Sequence, residues 1–367
     1  MTKVSIVRCE DYDSSKVFDA VKRAVDLVGG IEHYVKPGSD VLIKPNLLSA
    51  RLPEEGVDTH PEVVRAVVRL VKGINANPRI GDSPGGYGKN IEEVFERSGI
   101  KAMAKEEDVP LVRFTSSRSV DGMPISRQVF DCDRIISVPK MKTHGVTILT
   151  CAVKNMFGTV TGLFKAECHS KAPKAEGFSK IIAKVYSISR PHLTVLDGIV
   201  AMEGDGPAAG DLRKMNLVMA SSDAVAIDSC VAKIMGLNPL DILTTKEAYK
   251  MGLGEADLSR IETPGDDINS FIANDFKLPK TTLLKLIPDA IASGLSSLIR
   301  FKPYIDELVC TRCNLCKITC PVSAITIDKK KCRINYHKCV RCLCCHEVCP
   351  YKAIYIKRNV LTKLVWG

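Results

Sequence analysis

The sequence predicts an α/β protein in two parts: a helix-covered, largely parallel or mixed β-sheet domain, followed by a small cysteine-rich α+β domain. Two observations lead to this division. Through about residue 265, short apolar, β-branched runs end in polar loops, and stretches with helical spacing come between them. Near the C-terminus, ten of the fifteen cysteines lie between Cys310 and Cys349 at short, regular intervals.

The chain divides into four predicted segments: residues 1–265 form the α/β domain, 266–303 a helical linker, 304–358 the cysteine-rich domain and 359–367 a tail. The linker has apolar residues at three- and four-residue steps, which is typical of an amphipathic helix, here interrupted near Pro288. These residues are Leu284, Ile287, Ile291, Leu295 and Leu298. We expect this helix to pack on the protein's own surface, with docking to a membrane surface or a partner as the alternative.

The ends and apolar stretches of the chain predict a cytoplasmic protein without a transmembrane segment. The N-terminal residues carry charge inside a short apolar run and no small-residue cleavage site, so they are not a signal peptide. The longest apolar stretch, near residues 281–301, is broken by Lys285, Pro288 and Asp289. In a reducing compartment, closely spaced cysteines indicate metal ligation rather than disulfides.

The elements of the α/β domain follow from its pattern. Apolar runs that each lead into a polar loop occur at 41–43, 79–80, 134–138, 193–196 and 217–220. Residues 61–71 have helical spacing, and Pro61 suits the first turn. Asp223 can cap a further helix that reaches Gly236.

The polar loops are predicted to form one site, because ligands gather at the carboxyl ends of parallel strands. Their cations and amides suit a carboxylate or phosphate substrate, and their carboxylates suit acid–base work or a cation. The predicted catalytic residues are Lys142, His144, Lys154 and Asp228. The predicted substrate-binding residues are Lys44, Asn46, Asp82, Asn155 and Glu203. His144 is expected to donate a proton near neutral pH, and Lys142 or Lys154 to hold the anionic group.

Several of these residues also have a structural interpretation. Asp223 suits a helix N-cap better than a ligand, and Lys44 and Lys140 could be solvated strand ends. A lone loop histidine such as His144 is often structural. Asp228 lies in an apolar, helical stretch, where a buried carboxylate needs a partner.

Glycines are concentrated at 197–210, a predicted loop after the fourth apolar run that carries Asp197, Glu203 and Asp205. The segment lacks a Walker pattern and the glycine spacing of a dinucleotide fingerprint, so neither ATP nor NAD is predicted. The glycines of 197–210 would let the backbone approach a ligand closely or act as a hinge. The segment at 139–145 is also predicted to be a loop.

The cysteine-rich domain is an internal repeat. The motif Cys-x2-Cys-x2-Cys-x3-Cys-Pro begins at Cys310 and returns 29 residues later at Cys339, and the match continues to 324–327 and 353–356. This is the spacing of bacterial ferredoxins, in which three cysteines of each motif hold one 4Fe-4S cluster and the fourth ligates the other. The spacing therefore predicts two 4Fe-4S clusters.

The repeat assigns the ligands. The predicted ligands of the first cluster are Cys310, Cys313, Cys316 and Cys349. The predicted ligands of the second cluster are Cys339, Cys342, Cys345 and Cys320. A structural zinc site, the alternative, prefers two separated Cys-x2-Cys pairs. Cys332 and Cys344 are predicted to pack as small apolar residues, since the repeat aligns Cys344 with Leu315.

The C-terminal part is basic. From Tyr304 onward twelve Lys and Arg stand against four Asp and Glu, whereas the first 303 residues hold 40 and 38. Two oxidised clusters would cancel about half of this surplus, and no nucleic-acid motif accompanies it, so nucleic acid is not an expected partner. A low-potential electron donor or acceptor protein is expected to dock on basic residues here, unless these residues form a solvated turn. They are Lys329, Lys330, Lys331, Arg333, Lys338 and Arg341.

The N-terminal domain resembles the family known as domain of unknown function 362 over about residues 3–265. The resemblance rests on Lys44-Pro-Asn46, Gly81-Asp-Ser-Pro84, Lys142-Thr-His144, Lys154-Asn155 followed by Gly158, Glu203-Gly-Asp-Gly-Pro207, and the segment from Ser222 to Asp228. The family occurs alone and fused to 4Fe-4S ferredoxin modules, mainly in anaerobic bacteria and archaea. The resemblance implies a site but no particular reaction.

Together, these features predict an iron–sulfur protein that passes single low-potential electrons through two clusters to a reductive reaction on a small anionic substrate in the N-terminal domain. The lack of a nicotinamide or flavin fingerprint favours one-electron chemistry. Two alternatives stay open: a non-catalytic carrier subunit that docks a larger redox enzyme, and a non-redox transferase or lyase whose clusters are structural or sense oxidation.

Overall fold

The computed structural model describes residues 1–84, 91–162, 164–172, 174–281, 301–328 and 331–358. The helices are α1 (Ser14–Asp26), α2 (Ile31–Tyr34), α3 (Pro61–Gly73), α4 (Ile91–Arg97), α5 (Ile100–Glu106), α6 (Ala152–Asn155), α7 (Phe164–Lys171), α8 (Ala175–Ile188), α9 (Ala224–Ile234), α10 (Leu243–Lys250), α11 (Leu315–Thr319) and α12 (Cys344–Val348). Short 3-10 helices lie at Pro53–Glu55, Arg127–Val129, Met156–Thr159, Pro239–Asp241, Leu258–Arg260 and Ile268–Phe271.

The strands run through both parts of the chain. They are β1 (Thr2–Lys3), β2 (Ser5–Arg8), β3 (Asp40–Pro45), β4 (Asn77–Asp82), β5 (Leu111–Arg113), β6 (Ser117–Val120), β7 (Met123–Ser126), β8 (Arg134–Val138), β9 (Lys140–His144), β10 (Ile148–Thr150), β11 (Leu193–Glu203), β12 (Asp211–Ser221), β13 (Ile261–Glu262), β14 (Phe301–Ile305), β15 (Ile325–Ile327), β16 (Cys332–Ile334) and β17 (Ile354–Arg358).

A nine-stranded mixed sheet organises the N-terminal domain in the described residues. Its order is β10-β9-β11-β8-β3-β4-β5, and β12 joins β11 to β2. The pairs from β9 to β5 are parallel, whereas β10 and β12 pair antiparallel with their neighbours. The sheet confirms the predicted α/β fold class.

Helices cover both faces of this sheet. Successive strand residues point to opposite faces, so Val41 and Ile43 join the core beneath α1, α3 and α5, while Leu42 joins the core beneath α8 and α9. Pro61 begins α3 and Asp223 caps α9 through the backbone N–H groups of Val225 and Ala226, as the sequence predicts. The parallel arrangement places the carboxyl ends of β8, β3 and β4 side by side.

Two predicted loops are strands instead. Residues 140–144 form β9, and β11 continues through Asp197 to Glu203, which confines the loop to 204–210. β11 pairs with β8 at Leu193 and Thr194 and with β9 from Asp197, and its register against β12 shifts between Gly198 and Val200. Glycine inside a strand often marks such a bulge rather than a loop, and this is why the sequence pattern misled.

The cysteine-rich domain contains two antiparallel strand pairs, β14 with β17 and β15 with β16, and two short helices. Helices α11 and α12 end one residue before the fourth cysteine of their respective motifs, which forms the C-cap. Leu343 and Ile356 belong to a buried apolar cluster of the N-terminal domain, so the two parts pack against each other. The five apolar residues of the predicted linker helix lie outside the described residues. No helix in the described ranges is long and apolar enough to cross a membrane.

Candidate functional site

A cavity of about 810 Å³, including its open mouth, lies where the two parts of the chain meet. The N-terminal domain contributes side chains from the carboxyl ends of β3 and β4 and from α6 and α7. The cysteine-rich domain contributes Thr319, Cys344, Glu347 and Val348. We call this space the junction cavity. Four predicted site residues line it: Asn46, Asp82, Lys154 and Asn155.

A buried ion pair supports one wall of the junction cavity. Lys44 Nζ lies 2.7 Å from Asp82 Oδ1, with both side chains excluded from solvent. It also donates to the carbonyl oxygen of Pro45 at 3.0 Å and to Asn155 Oδ1 at 3.3 Å. Burial lowers the pKa of Lys44, and the Asp82 carboxylate opposes that shift. Lys44 therefore orients Asp82 and Asn155 from behind the wall and is not a solvated strand end.

Gly158 makes this arrangement sterically possible. A Cβ atom at residue 158 would overlap both the Asp82 carboxylate and the Lys44 ammonium group. Only glycine allows the backbone to approach a buried ion pair this closely. Gly158 therefore follows Lys154 and Asn155 because the backbone at this position packs directly against the Lys44–Asp82 pair.

Lys154 is the cation that faces the junction cavity. It projects from α6 and has no hydrogen-bond or ion-pair partner among the described residues. Burial lowers its pKa, partly opposed by the nearby carboxylate of Glu347. A partly desolvated cation without a partner is suited to an anionic ligand.

Asp228 has a structural role in the same region. Its carboxylate accepts the backbone N–H groups of Ala152 at 2.7 Å and Val153 at 3.2 Å, at the start of α6. Burial raises its pKa to about 7. Asp228 does not line the junction cavity, so the structure assigns it to holding α6, and thereby Lys154, in place.

His144 lies behind the cavity wall, against the cysteine-rich domain. Its Nδ1 accepts the N–H groups of Val146 at 3.0 Å and Thr147 at 3.2 Å, which leaves the proton on Nε2. Nε2 lies 3.2 Å from Glu347 Oε1, but off the line of a good hydrogen bond, and both atoms are otherwise unpartnered among the described residues. Burial lowers the pKa of His144 to about 3, and Lys154 adds to this. The imidazole is therefore neutral at pH 7, contrary to the proton donor that we expected.

Two further predicted residues lie away from the cavity. Lys142 donates to the carbonyl oxygen of Val57 at 2.6 Å, and burial lowers its pKa to about 7. Glu203 pairs with Arg213 at 3.1 Å and with Lys277 at 3.6 Å. These contacts satisfy both side chains, so they brace loops rather than meet a ligand.

A separate buried network lies between β9 and β11. Lys140 Nζ lies 2.9 Å from Asp197 Oδ2 and 2.7 Å from the Tyr12 hydroxyl, which in turn lies 2.9 Å from Asp197 Oδ1. Lys140 is thus buried, not a solvated strand end. In the described residues, no group of three or more His, Cys, Asp or Glu side chains is arranged to hold a single metal ion.

Four buried polar atoms around the junction cavity have no hydrogen-bond partner in the described structure. They are Asn46 Oδ1, Thr150 Oγ1, Thr319 Oγ1 and Glu347 Oε1. Buried polar groups are almost always paired with protein, water or ligand. Their convergence indicates a space that is completed by polar molecules.

Two smaller cavities, each of about 330 Å³, lie inside the cysteine-rich domain. We call them the first and second cysteine cavities. The first is lined by Cys310, Cys313, Cys316 and Cys349, with Cys332 beside them. The second is lined by Cys320, Cys339, Cys342 and Cys345, with Cys344 beside them.

The grouping around each cysteine cavity fits the ligand set predicted for one cluster. Cys349 joins the cysteines of the first motif, and Cys320 joins those of the second. All fifteen cysteines are free thiols rather than disulfides. Four cysteines around an otherwise mainly apolar space are suited to an iron–sulfur cluster.

Sequence reasoning missed the contribution of the cysteine-rich domain to the junction cavity. Glu347 occupies the position that Ile318 occupies in the first motif. A carboxylate in place of an exposed apolar residue was the one available signal. His169 and Lys165, from α7, had no distinguishing pattern.

The chain is similar to known proteins along both of its parts. Residues 41–233, more than half of the chain, match the family described as a domain of unknown function (DUF362). Residues 302–350 match a 4Fe-4S dicluster domain. The second match supports an iron–sulfur cofactor and an iron–sulfur electron-transfer role, as the cysteine spacing predicts.

Two individual proteins illustrate the range of similarity. A thylakoid-associated protein of Synechocystis, sll1697, is 34% identical over 315 residues, which are 83% of this chain and 95% of that protein. The lactate racemase apoprotein of Thermoanaerobacterium thermosaccharolyticum has a TM-score of 0.41 and 12% identity, over 64% of this chain and 57% of that one. The second similarity is too low to support an argument.

The name of the Synechocystis relative associates that protein with thylakoids, so a cytoplasmic location for this chain stays a prediction. The family match and the identity to this relative are enough to place the chain. This protein belongs to the DUF362 family and carries a 4Fe-4S dicluster domain in its C-terminal part.

Proposed function

We propose that the protein is a ferredoxin-linked reductase that delivers single low-potential electrons to a small anionic molecule in the junction cavity. The observation that carries this proposal is the position of Cys344, which lines both the junction cavity and the second cysteine cavity. A molecule in the junction cavity would thus lie one layer of side chains away from the second set of cysteines.

Two 4Fe-4S clusters are part of the proposal, one held by the four repeat cysteines of each cavity. When bound, such clusters supply one electron at a time at low potential. The basic surroundings suit them, because each cluster with its thiolates carries negative charge.

Lys154 supports an anionic substrate. Asp82 is neutralised by Lys44, and Lys165 Nζ already donates to backbone carbonyl oxygens near Ser83. Lys154 is left to meet a carboxylate or phosphate, while Asn46 and Asn155 offer amide groups. A charge-assisted hydrogen bond of this kind contributes about 1.5–3 kcal/mol.

Lys154 is also the proton source that the geometry favours. Reduction of an organic acceptor by a pair of electrons is normally accompanied by proton uptake. Burial lowers the pKa of Lys154, so its ammonium group releases a proton more readily than an exposed lysine does. Neutral His144 lies 3.2 Å from Glu347 behind the cavity wall and does not itself meet the substrate.

The test begins with the small acids that co-purify with anaerobically prepared protein, identified by mass spectrometry. Binding of the acid that is found, and the oxidation of reduced methyl viologen that it supports, are then measured in Lys154→Met. We expect binding to weaken by about 10–100-fold, with iron content and dithionite reduction unchanged.

Lys171→Met is the matched control, because Lys171 is an exposed lysine of α7 outside the cavity. Lys154→Arg should recover part of the binding but not the turnover, since guanidinium does not release a proton. If Lys154→Met binds the acid and turns over like the wild type, the reaction lies elsewhere and the carrier-subunit alternative takes its place.

A further inference from the structure

The first cysteine motif presents an apolar surface that the proposed reaction does not use. Leu308 is 98% exposed, and Val309 and Tyr351 are 45% and 48% exposed. Leu308 and Val309 directly precede Cys310, and Tyr351 lines the first cysteine cavity. We call these three residues the apolar rim.

The apolar rim lies beside the first cysteine motif, which is largely exposed. Cys313, one of the four repeat cysteines at the first cavity, is itself exposed. At the second cavity, by contrast, Leu343 is buried against Gly145 of the N-terminal domain, and Cys344 and Cys345 are buried. A partner in solution therefore approaches the first cavity more closely than the second.

The two sets of cysteines adjoin each other. Cys345 of the second set and Cys316 of the first belong to the same buried cluster of the cysteine-rich domain. Charge that enters at the exposed end therefore has a short path to the end beside the junction cavity. Electrons would therefore enter at the first cysteine cavity, beside the apolar rim, and leave from the second, beside the junction cavity.

The charges around the rim are suited to an acidic partner. Arg312, Lys317 and Lys352 are exposed on the same motif or beside Tyr351. The two neighbouring carboxylates each accept a backbone N–H group: Asp306 Oδ1 accepts the Leu308 N–H at 3.0 Å, and Glu307 Oε1 accepts the Cys332 N–H at 3.3 Å. An apolar centre with a basic surround is complementary to an apolar centre with an acidic surround.

We infer that the apolar rim is the docking surface for a small acidic protein that carries one electron at a time. In the transfer, the reduced carrier loses one electron, this chain gains it, and no bond forms or breaks. Small, weakly binding interfaces are typical of such electron-transfer complexes. The inference rests on the electron-transfer half of the proposed function and not on the reaction in the junction cavity. The partner meets the apolar rim, not the basic residues at 329–341 that the sequence suggested.

The experiment uses the full-length, cluster-loaded protein and a plant-type 2Fe-2S ferredoxin as the acidic one-electron probe. Binding of the oxidised ferredoxin is measured by calorimetry, and reduction by the reduced ferredoxin by stopped flow. We expect Leu308→Asp to weaken binding by about tenfold or more and to slow reduction at sub-saturating ferredoxin. Iron content and dithionite reduction should not change, because a side chain this exposed has little to pack against.

Met251→Asp is the control, since Met251 is an apolar residue of the N-terminal domain with 47% exposure. It should leave ferredoxin binding intact, and so should Lys154→Met, which separates this inference from the proposed reaction. Equal binding by Leu308→Asp and wild type, or no binding by the wild type, would overturn the inference. So would a wild-type dimer in sedimentation that Leu308→Asp dissociates, because a second copy of the chain would then cover the rim.

Discussion

The two cysteine motifs share a ligand spacing and a backbone, but their surroundings are opposite. The residues between the first and second cysteines, Arg312 and Arg341, both have a φ of 57°, and those before the helices, Asn314 and Leu343, have φ values of 65° and 63°. Yet the first motif is largely exposed, and the second is largely buried against the N-terminal domain.

The difference lies in the residues between the cysteines. Ile318 of the first motif is 47% exposed, whereas Glu347 at the same position of the second lies in the junction cavity. Lys317 is exposed, whereas His346 is buried with Nε2 3.2 Å from the carbonyl oxygen of Asp205. Cysteine spacing therefore sets the local backbone, and the intervening side chains decide which motif meets the rest of the protein.

The largest expected effect comes from breaking the exchange of fourth cysteines between motifs. Cys349→Ser should lower the iron content from about eight to about four per chain, because one cubane loses a ligand. Adding Cys313→Ser should remove little more iron, whereas adding Cys342→Ser should remove the rest. Metal analysis after anaerobic reconstitution measures this.

Cys332→Ser is the control for that series and should keep about eight iron, since Cys332 is a predicted non-ligand. The opposite pattern, in which Cys342→Ser adds nothing and Cys313→Ser removes the remaining iron, would show that each motif ligates its own cluster.

The next largest effect is expected at Glu347 of the second, buried motif. Glu347→Ile copies the residue of the first motif and removes a carboxylate that lies 3.2 Å from His144 Nε2 and raises the pKa of Lys154. We expect a loss of about 1–3 kcal/mol in stability, because the buried Lys154 ammonium group loses the nearby negative charge, and a change in ligand binding. Chemical denaturation and the content of co-purified acid report these.

Ile318→Glu is the matched control, because it makes the reciprocal change at the exposed position. It should shift stability by no more than about 0.5 kcal/mol. Equal effects of the two substitutions would mean that the motifs differ less than their burial indicates.

The pH dependence of stability should report on the buried junction. Burial lowers the pKa of His144 from 6.5 to about 3, so on acidification the unfolded chain takes up the proton first. The stability that His144 contributes is thus complete above pH 6.5 and is lost as the pH falls toward 3. In His144→Gln, the slope between pH 5 and 6.5 should be shallower by up to about 1.4 kcal/mol per pH unit. Denaturation midpoints above pH 7.5 serve as the control, since the two proteins should run parallel there.

The smallest effect on iron content is expected from Cys344→Leu, which copies Leu315 of the first motif. Because Cys344 is a predicted packing residue, the variant should keep about eight iron per chain, and the larger leucine should cost about 1–3 kcal/mol in stability. The reciprocal Leu315→Cys should also keep about eight iron per chain. Loss of about four iron in Cys344→Leu alone would make Cys344 a ligand.

Predictions of single elements from the local sequence pattern were confirmed more often than the prediction that distant residues meet at one site. The α/β fold class, the Asp223 cap and Pro61 at the start of α3 follow from spacing along the chain, and the structure has them. Asn46 and Asp82 converge because their strands are parallel neighbours. Glu203 does not, because β11 runs past the expected loop.

The roles of the buried charges could not be predicted in the same way. Asp228 and Lys154 both lie in apolar, helical segments of the sequence. In the structure, the Asp228 carboxylate caps α6, whereas the Lys154 ammonium group faces the junction cavity. Which role each takes depends on atoms that are about 75 residues away along the chain. His144 shows the same limit, since its neutrality comes from its burial in the folded protein.

The sequence alone determined the cysteine pattern, the repeat and the alternation of strands and helices, because each depends on neighbours within a few residues. Tertiary structure decided that the second motif, not the first, packs on the N-terminal domain, and that Glu347 and Cys344 complete a cavity with Lys154. The physical reason is that a side chain's charge, burial and partners are set by whatever packs against it. Here that surface comes from a part of the chain almost 200 residues away.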